Sequence, residues 1–387
     1  MAIQILVTDR NCEVVGDPIY CWETVDCTLR FNEVSSGQLT MPAHPWIREQ
    51  LDPGNRIVVI RDGQIFMAGP WERKFIERSD DGENSGIGKL TIEFADDLAL
   101  VVNRIAMPNP ALTAEAQDRD YWEYNANVET VLQDLANVSA GPGARPERRI
   151  PQLIMGGATG VGTTVTGKLR LEQLGDAMRS IALAGGDIGF RTRQVGKSIV
   201  FETYGPRDLS GSVRFSFGLG NLRYLGYEES APNATTAIVG GQGEGADRFI
   251  TSRTAAATEA VWQRGEMYVA RAGNDPPAEL QAAADETLAR ETATVRLQSS
   301  AWDTEDQHYG EHYGLGDRVS VEVGPGQEVT DLVRLVHLQA WATAGELVSA
   351  MVGGQDATSD PQWINRMRLI EQRLARMERR AMPSSAT

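Results

Sequence analysis

The stretch from Asp208 to Arg248 constrains the fold of this chain more than any other, because it has the pattern of strands joined by glycine turns. Val213, Phe215 and Phe217 alternate with polar residues, which is the period-two pattern of a half-buried strand. The segment Gly218-Leu-Gly220-Asn221 then supplies residues that tolerate the positive φ of a tight turn. Two further strands are predicted, at 224–227 and 235–239. The stretch contains no catalytic cluster, so we expect a protein built from paired strands.

Length and composition are those of a globular chain with several domains. The 387 residues are 41% hydrophobic and 23% charged, and domains of about 100–200 residues would give roughly two to four units. No apolar run approaches the roughly 18 residues of a membrane span, and the N terminus lacks the features of a signal peptide. We therefore expect synthesis and folding in the cytoplasm, without stable membrane insertion.

The charge balance argues against specific nucleic-acid binding. The formal net charge is −16, whereas affinity for a duplex comes from lysine and arginine side chains that replace counterions along the phosphate backbone.

Cys12, Cys21 and Cys27 form no CxxC pair and have no histidine nearby. Since a structural zinc site needs four suitably spaced ligands, we predict reduced, partly buried thiols and no metal.

The predicted fold class is mainly β with an α+β insertion. Short strands separated by turns fill the first 95 residues, and Asp62-Gly63 is a typical two-residue hairpin turn. Amphipathic helices are predicted at 127–136, with Asn127 as the N-cap, and at 171–183, and a further helix with an aspartate cap is predicted at 275–290. The predicted domains are an N-terminal β-barrel at 1–102, an α+β domain at 103–235, a second β-barrel-like domain with one helix at 236–355, and a linker with a C-terminal heptad helix at 356–387.

A six-residue pattern occurs twice, at Gly54–Val59 and Gly316–Val321. Both segments follow the order glycine, Asn or Asp, arginine, Ile or Val, any residue, valine, and each precedes a hairpin-like pair of strands. Two related barrels within one chain would produce such a repeat. Similar residue preferences at the starts of two unrelated strands would produce it as well.

Two glycine-rich segments resemble nucleotide-binding motifs. Gly162–Lys168 matches GxxxxGK, but Leu169 stands where a hydroxyl should hold magnesium. Gly240–Gly245 has the spacing GxGxG, and the residues from Arg248 to Ala255 have an extended and not a helical pattern. We therefore predict no bound cofactor, with a glycine-rich surface loop at the first segment.

The segment His308-Tyr-Gly-Glu311-His312 has the HxxEH spacing of inverted zinc peptidases. The two histidines bind one metal only where a helix stacks them, and Gly310, Gly314 and Gly316 disfavour a helix there. Exposed loop histidines are the simpler interpretation. A tail-associated zinc peptidase or cell-wall hydrolase that uses His308, Glu311 and His312 stays open as an alternative.

The end of the chain carries an apolar seam at heptad spacing. We predict that its side chains form an oligomer or partner interface, and the residues are Trp363, Met367, Ile370, Leu374 and Met377. Six arginines make this segment basic on an acidic chain. Three interpretations are open: a short coiled coil between copies, docking onto an acidic partner, or a helix folded back on its own domain.

Several of these segments occur together in one known family. They are Asp208-Leu-Ser210, the turn from Phe215 to Asn221, the strand entry Pro232–Thr235, the loop Gly240–Arg248, and the outlying pieces Phe31–Leu39, Leu51–Arg56 and Tyr313–Val319. In this order they resemble the tail-hub family of long-tailed, non-contractile phages of actinobacteria, also described as baseplate-hub-like minor tail proteins.

The resemblance implies a structural component of the virion tail tip with no catalytic residue. Such subunits are expected to form a ring, here a homotrimer, that joins the tail tube and distal tail protein to a downstream fibre or lysin. Related barrels alternating around the ring would match a sixfold tube. Two interpretations of the net charge are open: an acidic lumen that lets DNA pass without binding, or a charge that only keeps the protein soluble. The eight tryptophans leave a second alternative open, a tail protein that binds host-surface carbohydrate.

Overall fold

A computed structural model describes residues 3–78, 86–243, 245–270, 277–291 and 294–353. Strands dominate this part of the chain. In order, they are β1 Ile3–Thr8, β2 Thr24–Arg30, β3 Ser36–Pro42, β4 Arg56–Arg61, β5 Gln64–Glu77, β6 Lys89–Ala95, β7 Trp122–Asn127, β8 Leu153–Met155, β9 Thr164–Leu169, β10 Gly189–Val195, β11 Ser198–Tyr204, β12 Arg214–Phe215, β13 Leu222–Ser230, β14 Thr236–Gly240, β15 Ile250–Thr254, β16 Glu266–Ala270, β17 Thr294–Trp302, β18 Arg318–Gly324, β19 Gln327–Trp341 and β20 Gly345–Val352.

The described helices are α1 Pro45–Gln50, α2 Leu98–Val102, α3 Val128–Ser139, α4 Leu174–Ala184, α5 Ala256–Trp262 and α6 Pro277–Arg290. The sequence pattern predicts α3, α4 and α6. It does not predict α1, α2 or α5, because five to seven residues are too few to show a helical period. None of the described helices has the length and apolar character that crossing a bilayer requires.

The largest sheet joins strands from both ends of the chain. It has 12 strands, with the main order β1-β4-β5-β6-β3-β2-β19-β20-β17-β13, while β18 pairs with β19 and β12. The antiparallel pairing of β2 with β19 runs from Arg30 opposite Leu335 to Thr24 opposite Trp341. The predicted mainly β class is confirmed, and among the described strands no pairing closes this sheet on itself.

Residues 98–204 include the α+β region that the predicted fold class contains. Helices α3 and α4 pack on a small sheet of order β10-β11-β8, around a core that includes Leu132, Met178 and Phe201. Asn127 is the N-cap of α3, as predicted, because its side chain accepts a hydrogen bond from Glu129 N. Helix α4 begins at Leu174 and not at the predicted Leu171, which has a φ of 54° and is exposed.

Backbone compactness divides the chain into two units. Among the described residues, unit 1 comprises those up to Tyr224 and those from Ser299 to Gly353, and unit 2 comprises those within Leu225–Gln298. Unit 2 has a three-stranded sheet of order β15-β14-β16. Its core is small and consists of Ala237, Val239, Leu280, Ala284 and Leu288. The four domain boundaries expected from the sequence stay predictions.

The two copies of the repeated six-residue pattern both lie at strand starts in unit 1. Strand β4 begins at Arg56 and β18 begins at Arg318, and each pairs with the next strand as an antiparallel hairpin. The preceding glycines, Gly54 and Gly316, have φ values of 94° and 87°, which favour glycine. The pattern therefore marks the same backbone geometry twice.

Candidate functional site

Three of the motif segments meet at one junction inside unit 1. The Phe31 ring packs edge to face on Tyr204, with the ring centroids 6.2 Å apart. A Cβ atom on Gly316 would lie 2.6 Å from Cε2 of Phe31, so only glycine fits against this ring. The Tyr204 hydroxyl donates to Leu315 O at 3.3 Å, and burial raises the pKa of Tyr204. The junction thus joins the end of β2, the end of β11 and the turn before β18.

Asn32 connects this junction to the α+β insertion. Its Nδ2 donates to Ile188 O at 2.8 Å, and its Oδ1 accepts from Phe190 N at 2.7 Å. The residue has a φ of 58° and is buried. An asparagine suits this position because it tolerates a left-handed backbone and supplies both a donor and an acceptor.

Asp317 fixes the segment that follows β11. Its Oδ1 accepts from Arg207 Nε at 2.9 Å, and its Oδ2 accepts from Gly314 N at 2.6 Å. Arg318 N donates to Arg207 O, and Leu209 N donates to Arg318 O. The Asp208-Leu-Ser210 motif therefore lies along the start of β18 and is joined to it by backbone hydrogen bonds.

The turn from Phe215 to Asn221 is held by the side chain of Asn221. Ser216 N donates to Asn221 Oδ1, and Asn221 Nδ2 donates both to Arg214 O and to Gln307 Oε1, all at 2.9 Å. Leu219 N donates to Ser216 Oγ at 3.1 Å. Asn221 is itself buried, so the turn is a preorganised element with a defined shape.

This turn presents two large apolar side chains to solvent. Phe217 is 59% exposed and Leu219 is 58% exposed, whereas Phe215 is fully buried. The prediction that Phe217 continues the buried face of the strand is wrong, because β12 ends at Phe215 and the bonds to Asn221 turn the backbone there. We call Phe217 and Leu219 the apolar tip.

The HxxEH segment borders a cavity of about 1030 Å³ in unit 1. His308 Nδ1 lies 2.9 Å from Asp303 Oδ2, and His308 Nε2 lies 3.3 Å from Arg61 Nη2. Arg61 also pairs with Glu346 at 2.8 Å. Burial raises the pKa of Asp303, and it raises that of the neighbouring Tyr309 to about 12. The cavity wall here is a network of charged groups already paired with one another.

The geometry of this segment differs from that of a zinc peptidase. Residues 308–312 form turns and not a helix, so the histidines are not stacked on successive helical turns. His312 Nδ1 accepts from His308 N at 3.0 Å, and a guanidinium faces His308 Nε2. Within the described residues, no three His, Cys, Asp or Glu side chains are grouped so that they could hold a metal ion.

The GxxxxGK segment folds differently from a phosphate-binding loop. Its second half, including Gly167 and Lys168, lies within β9, which pairs with β7, so the predicted surface loop is wrong for these residues. The amides of the preceding loop are already occupied, since Thr159 N and Gly160 N donate to the Glu129 carboxylate. Burial disfavours the charged form, but these bonds and that from Thr203 lower the pKa of Glu129.

The second glycine-rich segment leads from β14 into β15, which is antiparallel to it. Arg248 Nε donates back to Gly241 O at 3.0 Å, so the segment closes as a loop between strands. A dinucleotide fingerprint would instead open a helix after the glycines. The extended conformation predicted after Arg248 is confirmed by β15.

The sequence leaves open a carbohydrate-binding surface that uses tryptophans, and it predicts an apolar interface near the C-terminal end. The exposed tryptophans in the described chain, Trp46, Trp262 and Trp341, lie in three different elements. The predicted interface at Trp363, Met367, Ile370, Leu374 and Met377 lies outside the described residues. It stays a prediction.

Comparisons with known proteins agree with the architecture. The model of the family described as siphovirus ReqiPepy6 Gp37-like protein matches residues 3–354. The crystal structure of the tail protein from Neisseria meningitidis MC58 superposes with a TM-score of 0.52 at 17% identity, covering 92% of this chain and 98% of that chain. The 43 kDa tail protein of prophage MuSo2 from Shewanella oneidensis gives 0.53 at 11% identity, covering 92% and 100%. At these identities the likeness concerns the fold. No curated protein matches the chain in sequence.

Proposed function

Because this chain belongs to the family of siphovirus ReqiPepy6 Gp37-like proteins, we propose that it is a structural hub at the tip of a phage tail. In this proposal three copies form a ring. The ring joins the tail tube and the distal tail protein on one side to a fibre or lysin protein on the other. The actinobacterial host and the passage of DNA through the lumen belong to the same proposal.

The observation that carries the proposal is the apolar tip on a rigid turn. Phe217 and Leu219 are exposed on a turn that four hydrogen bonds to the side chains of Asn221 and Ser216 hold in place. Exposed aromatic and aliphatic side chains on a preorganised element are typical of interface anchors, because little conformational entropy is lost when they are buried by a partner. We assign the tip to a contact between copies.

The apolar seam at Trp363, Met367, Ile370, Leu374 and Met377 would supply a second contact between copies. It spans fewer than three heptads, about 21 Å of helix, and would be stable mainly where the ring has already brought the chains together. We assign no catalytic residue, cofactor or metal. The paired environment of His308 and the turn conformation of its segment support this assignment.

Measurement of the mass in solution tests the proposal. We expect the wild-type chain to have the mass of three subunits, and the variant Phe217→Ser with Leu219→Ser to be a monomer that still unfolds in one cooperative thermal transition. Phe75→Ser is the matched control, since Phe75 is also half exposed but lies on β5, and it should stay trimeric. A monomeric wild type at micromolar concentration, or a trimeric tip variant, would contradict the assignment.

A further inference from the structure

The cavity in unit 1 combines an apolar wall with an acidic mouth. Ile65, Phe66 and Leu347 are among the side chains that line it, and the Phe66 ring packs edge to face on Tyr309, with the centroids 6.1 Å apart. Eight carboxylates and four guanidiniums belong to the described lining residues. Ile65 is 40% exposed, so solvent reaches the apolar wall. With a volume of about 1030 Å³, the cavity is as large as sites that enclose a drug-sized ligand.

Two carboxylates at the mouth of the cavity are available to a cationic group. Glu305 and Glu311 are exposed, and neither forms an ion pair with a basic side chain in the described part of the chain. Two of the lining arginines, Arg191 and Arg193, both pair with Glu202, at 2.7 and 3.2 Å. The mouth therefore keeps unbalanced negative charge at Glu305 and Glu311.

The loop 303–311 carries these two carboxylates on a fixed backbone. Tyr309 N donates to Asp303 Oδ1 at 2.7 Å, and Asn221 Nδ2 donates to Gln307 Oε1 at 2.9 Å. A group that binds at the mouth does not need to order this backbone, which favours binding.

The chain itself contains a segment of opposite charge. Residues 363–381, which lie outside the described residues, contain six arginines and two glutamates, whereas the whole chain has a net charge of −16. The arginines occupy none of the positions of the apolar seam, and they are Arg366, Arg368, Arg373, Arg376, Arg379 and Arg380. The segment can therefore use its arginines for one contact and its seam for another.

The end of β20 brings this segment within reach of the cavity. Glu346 and Val348 line the cavity, and Gly353, which follows the strand directly, lies five to seven residues farther along the chain. This separation corresponds to about 17–23 Å, and the nine residues 354–362 span up to roughly 30 Å when extended. A segment tethered at this distance has an effective concentration on the order of millimolar at the cavity, which favours it over a separate partner.

We propose that the arginine-rich segment 363–381 docks at the cavity of its own chain and pairs its guanidinium groups with Glu305 and Glu311. An arginine suits both parts of this surface, because its aliphatic stem covers apolar side chains while its planar guanidinium forms a bidentate pair with a carboxylate. The docking does not depend on the proposed ring, since the cavity and the segment belong to one chain.

Photo-crosslinking in the full chain tests the docking. With p-benzoylphenylalanine in place of Ile65, irradiation should link the cavity to residues 363–381, and mass spectrometry of the digested protein identifies the link. The linked product should keep the mass of one chain on a denaturing gel. Phe75 is the matched control position, because it is 50% exposed and also lies on β5 but does not line the cavity. Its yield of links to the segment should be about tenfold lower.

Charge reversal tests the role of the carboxylates. Glu305→Lys with Glu311→Lys should lower the yield of the link at Ile65 by about fivefold or more, because like charges then face each other. Arg373→Glu with Arg376→Glu should have the same effect. All four substitutions together restore opposite charges and should recover much of the yield, which a misfolded cavity would not do.

Asp120→Lys with Glu123→Lys is the matched control for this reversal. It changes the net charge by the same amount at two exposed residues that do not line the cavity, so the yield should match that of the wild type. The docking is overturned if no link forms at Ile65, if Phe75 links to the segment equally, or if reversal at the mouth has no more effect than this control.

Two further outcomes separate the docking from the ring. A linked product with the mass of two chains would show that the cavity holds the segment of another copy, and it would overturn the assignment to the same chain. A wild-type monomer that still forms the link contradicts the ring alone, and a trimer without the link contradicts the docking alone.

Discussion

The strand starts at Gly54–Val59 and Gly316–Val321 share a sequence pattern and a backbone shape but bury different side chains. In the first, Arg56 is 2% exposed and its guanidinium forms a bidentate pair with Asp97. The same guanidinium donates to Thr8 Oγ1 at 3.1 Å and to Gln194 Oε1 at 3.0 Å. The arginine of the pattern is here the buried residue.

In the second strand start, the acidic residue of the pattern is the buried one. Asp317 is 5% exposed and bonds with Arg207 and Gly314 N, whereas Arg318 is half-buried and bonds through its backbone. The comparison shows that a short motif can repeat a backbone geometry without repeating a side-chain role. The neighbouring segments decide which charge is enclosed.

Replacing the arginine in each copy of the pattern should give the largest difference in the free energy of unfolding between the two strand starts. Arg56→Met leaves Asp97 as an unpaired buried charge, and we expect a loss of about 3–5 kcal/mol in the free energy of unfolding. Arg318→Met should lose less than about 1 kcal/mol, since it breaks no enclosed pair. Urea unfolding at pH 7 measures both values.

A double variant sharpens this test. Arg56→Met combined with Asp97→Leu removes both charges, so it should recover much of the loss, and the cycle of single and double variants isolates the pair. Equal losses for Arg56→Met and Arg318→Met would refute the claim that only the first region depends on a buried ion pair.

The two motif glycines should respond differently to alanine. At Gly54 a Cβ meets nothing closer than Arg10 Nη2 at 3.7 Å, so Gly54→Ala should cost about 1 kcal/mol for the left-handed backbone alone. At Gly316 the Cβ would lie 2.6 Å from the buried Phe31 ring. Gly316→Ala should therefore cost about 2–4 kcal/mol, since overpacking adds to the backbone strain. The melting temperatures of the two variants provide the measurement, and a loss at Gly54 as large as that at Gly316 would count against the junction.

The pH dependence of stability should reflect Asp96, which precedes the buried Asp97. Burial raises the pKa of Asp96 from 3.8 to about 7. Between about pH 4 and pH 7, Asp96 is therefore protonated in the native state and ionised in the unfolded state. The contribution of Asp96 to the free energy of unfolding declines as the pH rises through that window. Relative to Asp96→Asn, the wild type should lose on the order of 3 kcal/mol between pH 4.5 and pH 8.

Urea unfolding at the two pH values measures this difference. Asp120→Asn is the matched control for the loss of a carboxylate, since the Asp120 side chain is 85% exposed. If the gap between the wild type and Asp96→Asn stays constant or widens in favour of the wild type as the pH rises, the assignment to Asp96 is wrong.

The sequence predicts the elements whose signals are local. Asn127 caps α3 as expected, the strand β15 follows the loop at Arg248, and the glycines before β4 and β18 mark strand starts. Each of these features depends on the φ of one residue or on a hydrogen bond between near neighbours. The alternating pattern predicted that Phe217 is buried, and this is wrong because the side chain of Asn221, four residues further on, ends the strand.

The candidate sites depend on contacts between residues that are far apart in the sequence, more than the helices and strands do. The motif segments could be recognised from the sequence, but their meeting at Phe31, Tyr204 and Gly316 could not. The Glu129 carboxylate accepts hydrogen bonds from amides of the glycine-rich loop. The sequence indicated only that a carboxylate lies in the first turn of a helix, and it did not indicate these bonds. The pairing of β2 with β19, which joins the two ends of the chain, also lies beyond local patterns.

The sequence by itself therefore determined the mainly β class and the places where strands start, because backbone conformation responds to adjacent residues. Only the tertiary structure decided that Arg56 is enclosed in one copy of the pattern and Asp317 in the other. Their partners Asp97, Gln194 and Arg207 lie 41, 138 and 110 positions away in the chain. Burial of a charge depends on which groups the fold brings around it, and that information is spread over the whole chain.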